Sequence, residues 1–600
     1  MKQNTNEEIA AKLPEKSLHF FAIGLIFIAL NLFLSFAPGV TRGWGLNYIA
    51  FFDPWVIGLF YVLLVCFLLP STNHYLVAQI TAISRQSIVA TLRKHRYALF
   101  VLISLCAVGC FNLLRTKYIL LGDLQTRITH IEDGVSVRDE YLTMLSLNRL
   151  YVWLHAHFNF TGFQTVRLVD YITGGLFVFF ALCTANLLGN TFLKKAAVFI
   201  LSTLSCTILL QFCGYNDVYM CALLFLQIYL FTSLLYLKNK MPLIVPALII
   251  FTGIAFHLML VSMLPSLIFL LYGKVLWKYP LFRNKITIAI LVLISLPLLY
   301  LAFEKIARPI MLPLASADRM TVFSIAHYKE FFNGQLLGGG IGFLIWLMLL
   351  IYSVLGKIKY NFTTWFFFVA SLSIVGMMFV FYMDRGSGDW DIAAFAAVVF
   401  NLSNASVLLM GGGVQAEGIC KNLKYGILML AGFSICHTSM WILTQKTDAS
   451  IKYVTHAVIT DPATYYMKIP NAIALSYMLY DNHLDDLFID LYNNTYFSPH
   501  YPKPRYNYAR ALIRTNRQAE GYRLLEQLII DFPDFLLTYP TLVEHYLAIR
   551  DYDASYKLLV QMVSFYEQNP ANFVRVLSPQ HIDECLRLLA ELRKRRAAPF

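Results

Sequence analysis

The residues of this sequence that could do chemistry gather in short charged segments between long apolar runs. The first segment contains Gly122-Asp123, and Arg127 follows four residues after the aspartate, a spacing that places both side chains on one face of a helix. A carboxylate here could act as a general base toward a hydroxyl group, and an arginine could bind a phosphate. An interfacial salt bridge explains the same spacing. The segment therefore predicts either an acid–base site or a structural ion pair.

Three further polar positions are candidates for the same site. Glu140, in Asp139-Glu140, is a second carboxylate of the same stretch, although a solvated helix start also explains it. Asp217 ends a Gly-Tyr-Asn-Asp segment whose composition is equally typical of a turn. His257 lies between two short apolar runs, where an interfacial histidine can extend its ring toward water. These positions predict one site only if the fold brings their segments together.

The densest charged segment spans residues 383–391, with three carboxylates and one arginine within eight residues and two glycines between them. Its candidate site residues are Arg385, Asp389 and Asp391. The last two have the Asp-x-Asp spacing that can hold a divalent ion beside phosphates, a three-residue pattern of low specificity. The segment is predicted to be part of a functional site, and the sequence leaves open whether that site binds a divalent cation.

Apolar helices must position these segments. Of the 600 residues, 58% are hydrophobic and 14% charged, against roughly 45–50% and 25% in soluble proteins. This composition excludes a chain of several soluble domains, a disordered chain and a disulfide-stapled scaffold. About 20 apolar residues cross a bilayer core of ~30 Å. The sequence predicts an all-α polytopic membrane protein with about 13 transmembrane helices, at 18–36, 54–70, 97–114, 168–189, 196–212, 218–237, 242–256, 258–272, 286–303, 341–356, 363–382, 392–411 and 424–444.

The basic residues of the short loops indicate the orientation. Six alternate loops, with the flank at Lys424, hold 16 basic residues against one acid, Glu417. Such loops face the cytoplasm, so the charged segments described above face the opposite side. The formal charge of +13 therefore reflects membrane orientation and gives no sign of a nucleic-acid partner. The predicted location is a bacterial inner membrane, with the tail in the periplasm.

The tail, residues 445–600, is polar and balanced, with 17 basic and 17 acidic residues. Arg514–Tyr522 resembles Arg550–Tyr556, and Asn482 lies 34 residues before Asn516. A period of 34–35 residues with small residues between paired helices is typical of tetratricopeptide-like repeats. An unrelated helical domain is the alternative. The tail is predicted to be a soluble helical domain that acts as a scaffold or grips an acceptor.

Gly122-Asp123 with Arg127, and Gly388-Asp389-Trp390-Asp391 before a late apolar run, resemble segments of polytopic enzymes of the C-type glycosyltransferase (GT-C) fold. The resemblance is to bacterial members that end in tetratricopeptide-like repeats. The resemblance covers residues 97–444, and the tail is similar in its architecture. The sequence departs from the usual pattern because two extra runs precede residue 97 and the doubled acid falls late, at Asp139-Glu140.

This resemblance implies transfer of a sugar from a polyprenyl-phosphate donor, with inversion of the anomeric centre. It implies Asp123 or Glu140 as the base, and Arg127, Arg385 and His257 near the donor phosphate. The acceptor would be a glycan, a lipid or a protein, and membrane lipid would surround the helices. A protein partner could bind through residues 445–600.

The predicted division is a segment 1–96 with two extra transmembrane helices, a GT-C-like module at 97–444 and the helical tail at 445–600. Three alternatives remain, one of which is transport of a lipid or a solute. An outer-face glycan ligase or polymerase would rely on a late loop, here 304–340 with Arg308, Arg319 and His327. A non-enzymatic membrane scaffold would act through its repeats.

Overall fold

The computed structural model describes residues 18–36, 43–84, 94–116, 124–137, 140–210, 212–213, 218–274, 311–314, 321–356, 358, 360–380, 392–410, 423–460, 465–494, 497, 501–568 and 579–597. Helices form nearly all of the regular structure in these residues, as the sequence predicts. The chain divides into two compact units, Met1–Thr464 and Tyr465–Phe600.

The first unit contains apolar helices and a few shorter amphipathic ones. They are α1 (Leu18–Phe36), α2 (Pro54–Leu68), α3 (Pro70–Ser84), α4 (Arg96–Leu113), α5 (Leu124–Glu132), α6 (Tyr141–Phe158), α7 (Gly162–Leu188), α8 (Phe192–Thr203), α9 (Cys206–Leu210), α10 (Met220–Leu237), α11 (Ile244–Phe256), α12 (Leu264–Lys274), α13 (Ile325–Gly339), α14 (Ile341–Val354), α15 (Phe362–Val380), α16 (Ala393–Met410), α17 (Leu423–Lys446) and α18 (Ala449–Thr460). Short 3₁₀ helices cover Asn47–Phe51 and Leu258–Met263.

Within the described residues, six helices are long and apolar enough to cross a membrane, or up to eight if each of two bent pairs is one span. The predicted number was about 13. Six predicted runs are the long helices, and two fall in the bent pairs α2–α3 and α13–α14. Three others are apolar helices of 10–17 residues, and the run 196–212 is split between α8 and α9. The run 286–303 lies outside the described residues. Hydrophobicity thus located helices at the predicted runs that the structure describes, and the count of about 13 full spans stays a prediction.

Lysines of the loops predicted to be cytoplasmic bond to the carboxyl ends of neighbouring helices. Each ammonium group donates to a main-chain carbonyl that the last helical turn leaves open, where the helix dipole also favours a cation. The acceptors are the carbonyls of Leu409 for Lys194 at 2.8 Å, of Leu187 for Lys238, and of Leu237 for Lys274 at 2.7 Å. These predicted loops therefore meet at one end of the helices.

The segments predicted to be external also contact one another, at the other end of the helices. Three hydrogen bonds at this end join α4 to α17, the end of α4 to residue 213, and α6 to α11. They are Lys446 Nζ to the Leu113 carbonyl at 2.5 Å, the Thr116 amide to the Cys213 carbonyl at 3.0 Å, and Thr143 Oγ1 to the Phe256 carbonyl at 2.7 Å. These contacts agree with the alternation of loops between two sides that the basic residues predict. Which end faces the periplasm stays a prediction.

Buried polar contacts attach residues 43–51 to the rest of the first unit. The Tyr48 hydroxyl lies 2.6 Å from His437 Nδ1 on α17, and the Trp44 indole donates to Glu330 Oε2 on α13 at 2.9 Å. The Tyr453 hydroxyl of α18 donates to the Trp44 carbonyl at 2.8 Å. Because α18 packs here, the two units divide after Thr464, later than the boundary predicted at residue 445.

The second unit is a series of helical hairpins. Its helices are α19 (Tyr465–Asp481), α20 (Asp485–Asn494), α21 (Pro502–Arg514), α22 (Gln518–Asp531), α23 (Thr538–Ala548), α24 (Tyr552–Gln568) and α25 (Pro579–Ala597). The turn after each of α19, α21 and α23 contains a residue of positive φ, namely His483, Asn516 and Arg550, which lie 33 and 34 residues apart. The amide three residues after the end of each of these helices bonds back to a carbonyl of the last turn, for example Arg517 to Leu512 at 2.8 Å. The turns therefore recur with a period close to the predicted one, and the tetratricopeptide-like identity stays a prediction.

Close packing of one such hairpin depends on Gly521. A Cβ at this position would lie 2.6 Å from both the Ala509 carbonyl oxygen and Ile513 Cγ1. Gly521→Val is expected to lower the local stability by about 2 kcal/mol through overpacking, which corresponds to roughly 30-fold faster amide exchange. Hydrogen–deuterium exchange of residues 502–531 in the full-length protein measures this. Ala519→Val, at an exposed position of the same helix, is the control, and equal exchange in the two variants would contradict the prediction.

Candidate functional site

Three of the residues predicted to do chemistry lie in the described part of the chain, and the fold brings them together. They are Arg127 on α5, Glu140 just before α6, and His257 between α11 and the following 3₁₀ helix. The other candidates, Asp123, Asp217, Arg385, Asp389 and Asp391, lie outside the described residues. The candidate site is therefore built here from Arg127, Glu140 and His257.

A buried ion pair forms the centre of this site. Arg127 Nη2 donates to Glu140 Oε1 at 2.9 Å, and the Glu140 side chain is 3% exposed against 15% for Arg127. The sequence spacing suggested Asp123 as the acidic neighbour of Arg127. Asp123 lies outside the described residues, so its contact with Arg127 stays a prediction. The structure shows a carboxylate partner 13 residues further along the chain, because α5 and α6 fold back on each other. Taking both charges out of water is costly, so this contact is more than a surface salt bridge.

His257 adds a directional donor to the pair. Its Nδ1 accepts a hydrogen bond from the Met259 amide at 3.0 Å, so the neutral ring carries its proton on Nε2. That Nε2 atom lies 3.9 Å from Glu140 Oε1. The rings of Tyr219 and Phe395 pack against the imidazole, with centroids at 4.7 and 5.8 Å. The histidine is thus fixed in orientation by one amide and two aromatic walls, with its N–H toward the carboxylate.

Neighbouring contacts hold the three elements in place. Thr143 Oγ1, in the first turn of α6, donates to the carbonyl of Phe256 next to His257 at 2.7 Å. At the other end of α5, Glu132 Oε1 accepts from the Gly162 amide at 2.8 Å. A Cβ at Gly162 would lie 2.8 Å from that carboxylate oxygen, so glycine permits the close approach of α5 to the start of α7. These contacts orient Arg127 and Glu140 from both sides.

The late loop predicted at 304–340 is in part a buried helix. His327 on α13 is fully buried, and its Nε2 lies 2.7 Å from the Phe379 carbonyl on α15. This contact attaches α13 to α15 and leaves the ring no surface for a substrate. Arg308 and Arg319 lie outside the described residues.

Sequence reasoning missed the buried groups that join α13 to the N-terminal segment. Glu330 is 2% exposed and accepts from the Trp44 indole, and Asn333 accepts from the Gly45 amide at 3.2 Å. The signal available was their helical spacing, because they follow His327 at three and six positions along the chain. In the fold this polar stripe faces other protein groups.

No group of three or more histidine, cysteine, aspartate or glutamate side chains within the described ranges is placed to hold a metal ion. The segment 383–391, on which the divalent-cation alternative depends, falls outside those ranges. Comparison of the chain with protein-family models, curated proteins and solved structures gave no match.

Proposed function

We propose that this chain is a membrane glycosyltransferase that moves a sugar from a polyprenyl-phosphate donor to a hydroxyl acceptor. The observation that supports the proposal best is the buried Arg127–Glu140 pair facing His257. These residues come from three separate elements and lie at the end of the helices where the predicted external segments meet. A lipid-linked donor presents its phosphate at this level of a membrane, where an arginine can bind it in bidentate fashion.

In the proposed reaction, the acceptor hydroxyl attacks the anomeric carbon of the donor sugar. The new carbon–oxygen bond forms as the bond to the donor phosphate breaks, so the configuration inverts and the lipid phosphate leaves with the electron pair. A carboxylate takes the hydroxyl proton. We assign this role to Asp123, since the Glu140 carboxylate is already held by Arg127 at 2.9 Å.

The described residues have supporting roles in this scheme. Glu140 orients the Arg127 guanidinium, which binds the donor phosphate, and Arg385 supplies a second cation. His257 places its Nε2 atom beside the same charged cluster, 3.9 Å from Glu140 Oε1. Asp217, Asp389 and Asp391 complete the predicted outer face, with a divalent cation as an option at the last two.

The wider assignment follows from the same proposal. The chain would be a GT-C-like enzyme of a bacterial inner membrane, with about 13 membrane segments and its site on the periplasmic face. Residues 465–600 would form a periplasmic tetratricopeptide-like domain that binds the acceptor or a partner protein.

Glycan profiles test the function in cells. We expect Asp123→Asn, Glu140→Gln and Asp389→Asn each to reduce the product glycan, with Asp123→Asn reducing it most because it removes the base. Mass spectrometry of glycans and glycoproteins from cells carrying each variant measures this.

Glu132→Gln is the matched control, because its amide oxygen can still accept from the Gly162 amide. Wild-type profiles from all three site variants would exclude the glycosyltransferase. Loss of the product glycan only on deletion of residues 465–600, and not in the site variants, would favour a scaffold.

A further inference from the structure

Helices α4 and α7 pack antiparallel through two glycines. A Cβ at Gly175 would lie 2.9 Å from Val108 Cγ2, and one at Gly174 would lie 2.8 Å from Phe111 Cε2. Nearer the predicted outer end, the Tyr171 hydroxyl donates to Asn112 Oδ1 at 3.1 Å. One turn beyond Tyr171 on α7 is Arg167, and two residues after the end of α4 is Arg115. This register places the two arginines at the same level.

A third cation lies at that level. Lys446 Nζ of α17 donates to the Leu113 carbonyl at 2.5 Å, at the end of α4. Arg115 is exposed, and Arg167 is half-buried with its guanidinium carbon 4.4 Å from the ring centroid of Phe163. Asp170, one turn deeper on α7 and fully buried, offsets one of these charges.

The two arginines keep donor capacity that no other described residue uses. Within the described ranges neither guanidinium forms an ion pair, and the buried Nε of Arg167 has no hydrogen-bond partner. Two guanidinium groups at the same level repel each other unless an anion lies between them. The pair therefore favours a bound anion.

The surface below the arginines is apolar and uncovered. Only 11% of the apolar window of α4 is buried within the protein. Leu105 and Leu113 on α4, and Ile172 and Leu176 on α7, are exposed. Acyl chains fit such a surface, and the cations lie where the headgroup of that lipid would be.

We propose that Arg115 and Arg167 bind the phosphate of an anionic phospholipid whose acyl chains lie along α4 and α7. Charge complementarity selects an anionic headgroup, and the exposed leucines and isoleucine select a lipid over free phosphate. The site consists of residues other than Arg127 and Glu140, and it does not depend on the proposed glycosyltransfer.

Native mass spectrometry of the detergent-solubilised full-length protein tests this site, with phosphatidylglycerol as the probe. We expect wild type to bind it more tightly than phosphatidylcholine. Each arginine near an anionic headgroup contributes about fivefold in affinity, so Arg115→Gln/Arg167→Gln should bind about 30-fold more weakly. Arg115→Gln alone, at an exposed position, should lose about fivefold and covers the case in which the double variant does not fold.

The control Arg517→Gln/Arg595→Gln changes the net charge equally, at two exposed residues of the second unit, and should bind like wild type. Equal lipid affinity in wild type and in the Arg115 and Arg167 variants would overturn the site. Displacement of phosphatidylglycerol by an equal concentration of inorganic phosphate would overturn the assignment of a lipid as the ligand and favour free phosphate. Since no turnover is measured, failure here is distinct from failure of the glycosyltransferase proposal.

Discussion

Arg127→Met is expected to lower the stability of the folded chain by about 3–5 kcal/mol. The Glu140 carboxylate is almost completely buried, and the variant removes the guanidinium that lies 2.9 Å from it and balances its charge. Glu140→Gln should cost less, because the Arg127 side chain is 15% exposed and water can reach its charge. The double variant Arg127→Met/Glu140→Leu should approach wild-type stability, because replacing both ions by apolar groups removes the desolvation cost together with the attraction.

This double-mutant cycle separates stability from function. Apparent melting temperatures of the four proteins in one detergent give the coupling between the two residues. Arg149→Met, at an exposed position of α6, is the control and should melt like wild type. Equal melting of Arg127→Met and the control would contradict a buried, coupled pair. A double variant that is stable but inactive would show that the pair is present for function.

Much of the helical architecture could be predicted from hydrophobic runs, because a bilayer imposes a minimum length of apolar helix. The helices at Leu18–Phe36, Arg96–Leu113 and Met220–Leu237 agree with the predicted runs within a few residues. The number of full spans could not be predicted in this way. A break such as residues 204–205 between α8 and α9 is made by hydrogen bonds of Ser205 to other helices, for example to the Gly338 carbonyl, and leaves no mark in hydropathy.

The members of the candidate site were predictable from the sequence, but the contact between Arg127 and Glu140 was not. Arg127, Glu140 and His257 stood out because charged and polar groups are rare beside apolar runs. Helical spacing predicts contacts between residues close in the chain, such as Asp123 and Arg127, and Asp123 lies outside the described residues. It cannot predict a partner 13 residues away. The observed partner depends on the turn between α5 and α6, which the Glu132–Gly162 and Thr143–Phe256 contacts stabilise. Such contacts between distant segments cannot be read from residue spacing.

The same limit explains Glu330 and His437. His437 lies within an apolar run and Glu330 lies before one, and their partners, Tyr48 and Trp44, are almost 400 and 300 residues away in the chain. A sequence window shows such residues as isolated polar positions. Only the fold shows that they join residues 43–51 to α13 and α17, so that the segment predicted as an addition at 1–96 is packed into the first unit.

The largest catalytic effect is expected at Asp123. If Asp123 is the base and Glu140 orients Arg127, Asp123→Asn should lower kcat roughly 100- to 10,000-fold while the KM for the donor changes little. Glu140→Gln should mainly raise the donor KM, because a less firmly held guanidinium binds the phosphate more weakly in the ground state as well as in the transition state. The reconstituted enzyme, with a polyprenyl-phosphate sugar as donor, allows both constants to be measured.

The split between the two constants decides which carboxylate takes the proton. A larger loss of kcat in Glu140→Gln than in Asp123→Asn would reverse the two roles. Glu140 would then be the base, and its contact with Arg127 would adjust its basicity. Glu132→Gln belongs in the same series, because Glu132 lies on the same helix as Arg127 and its carboxylate only accepts from the Gly162 amide. Wild-type kinetics in that variant would show that the losses at Asp123 and Glu140 come from their chemistry and not from loss of a charge on this face of the protein.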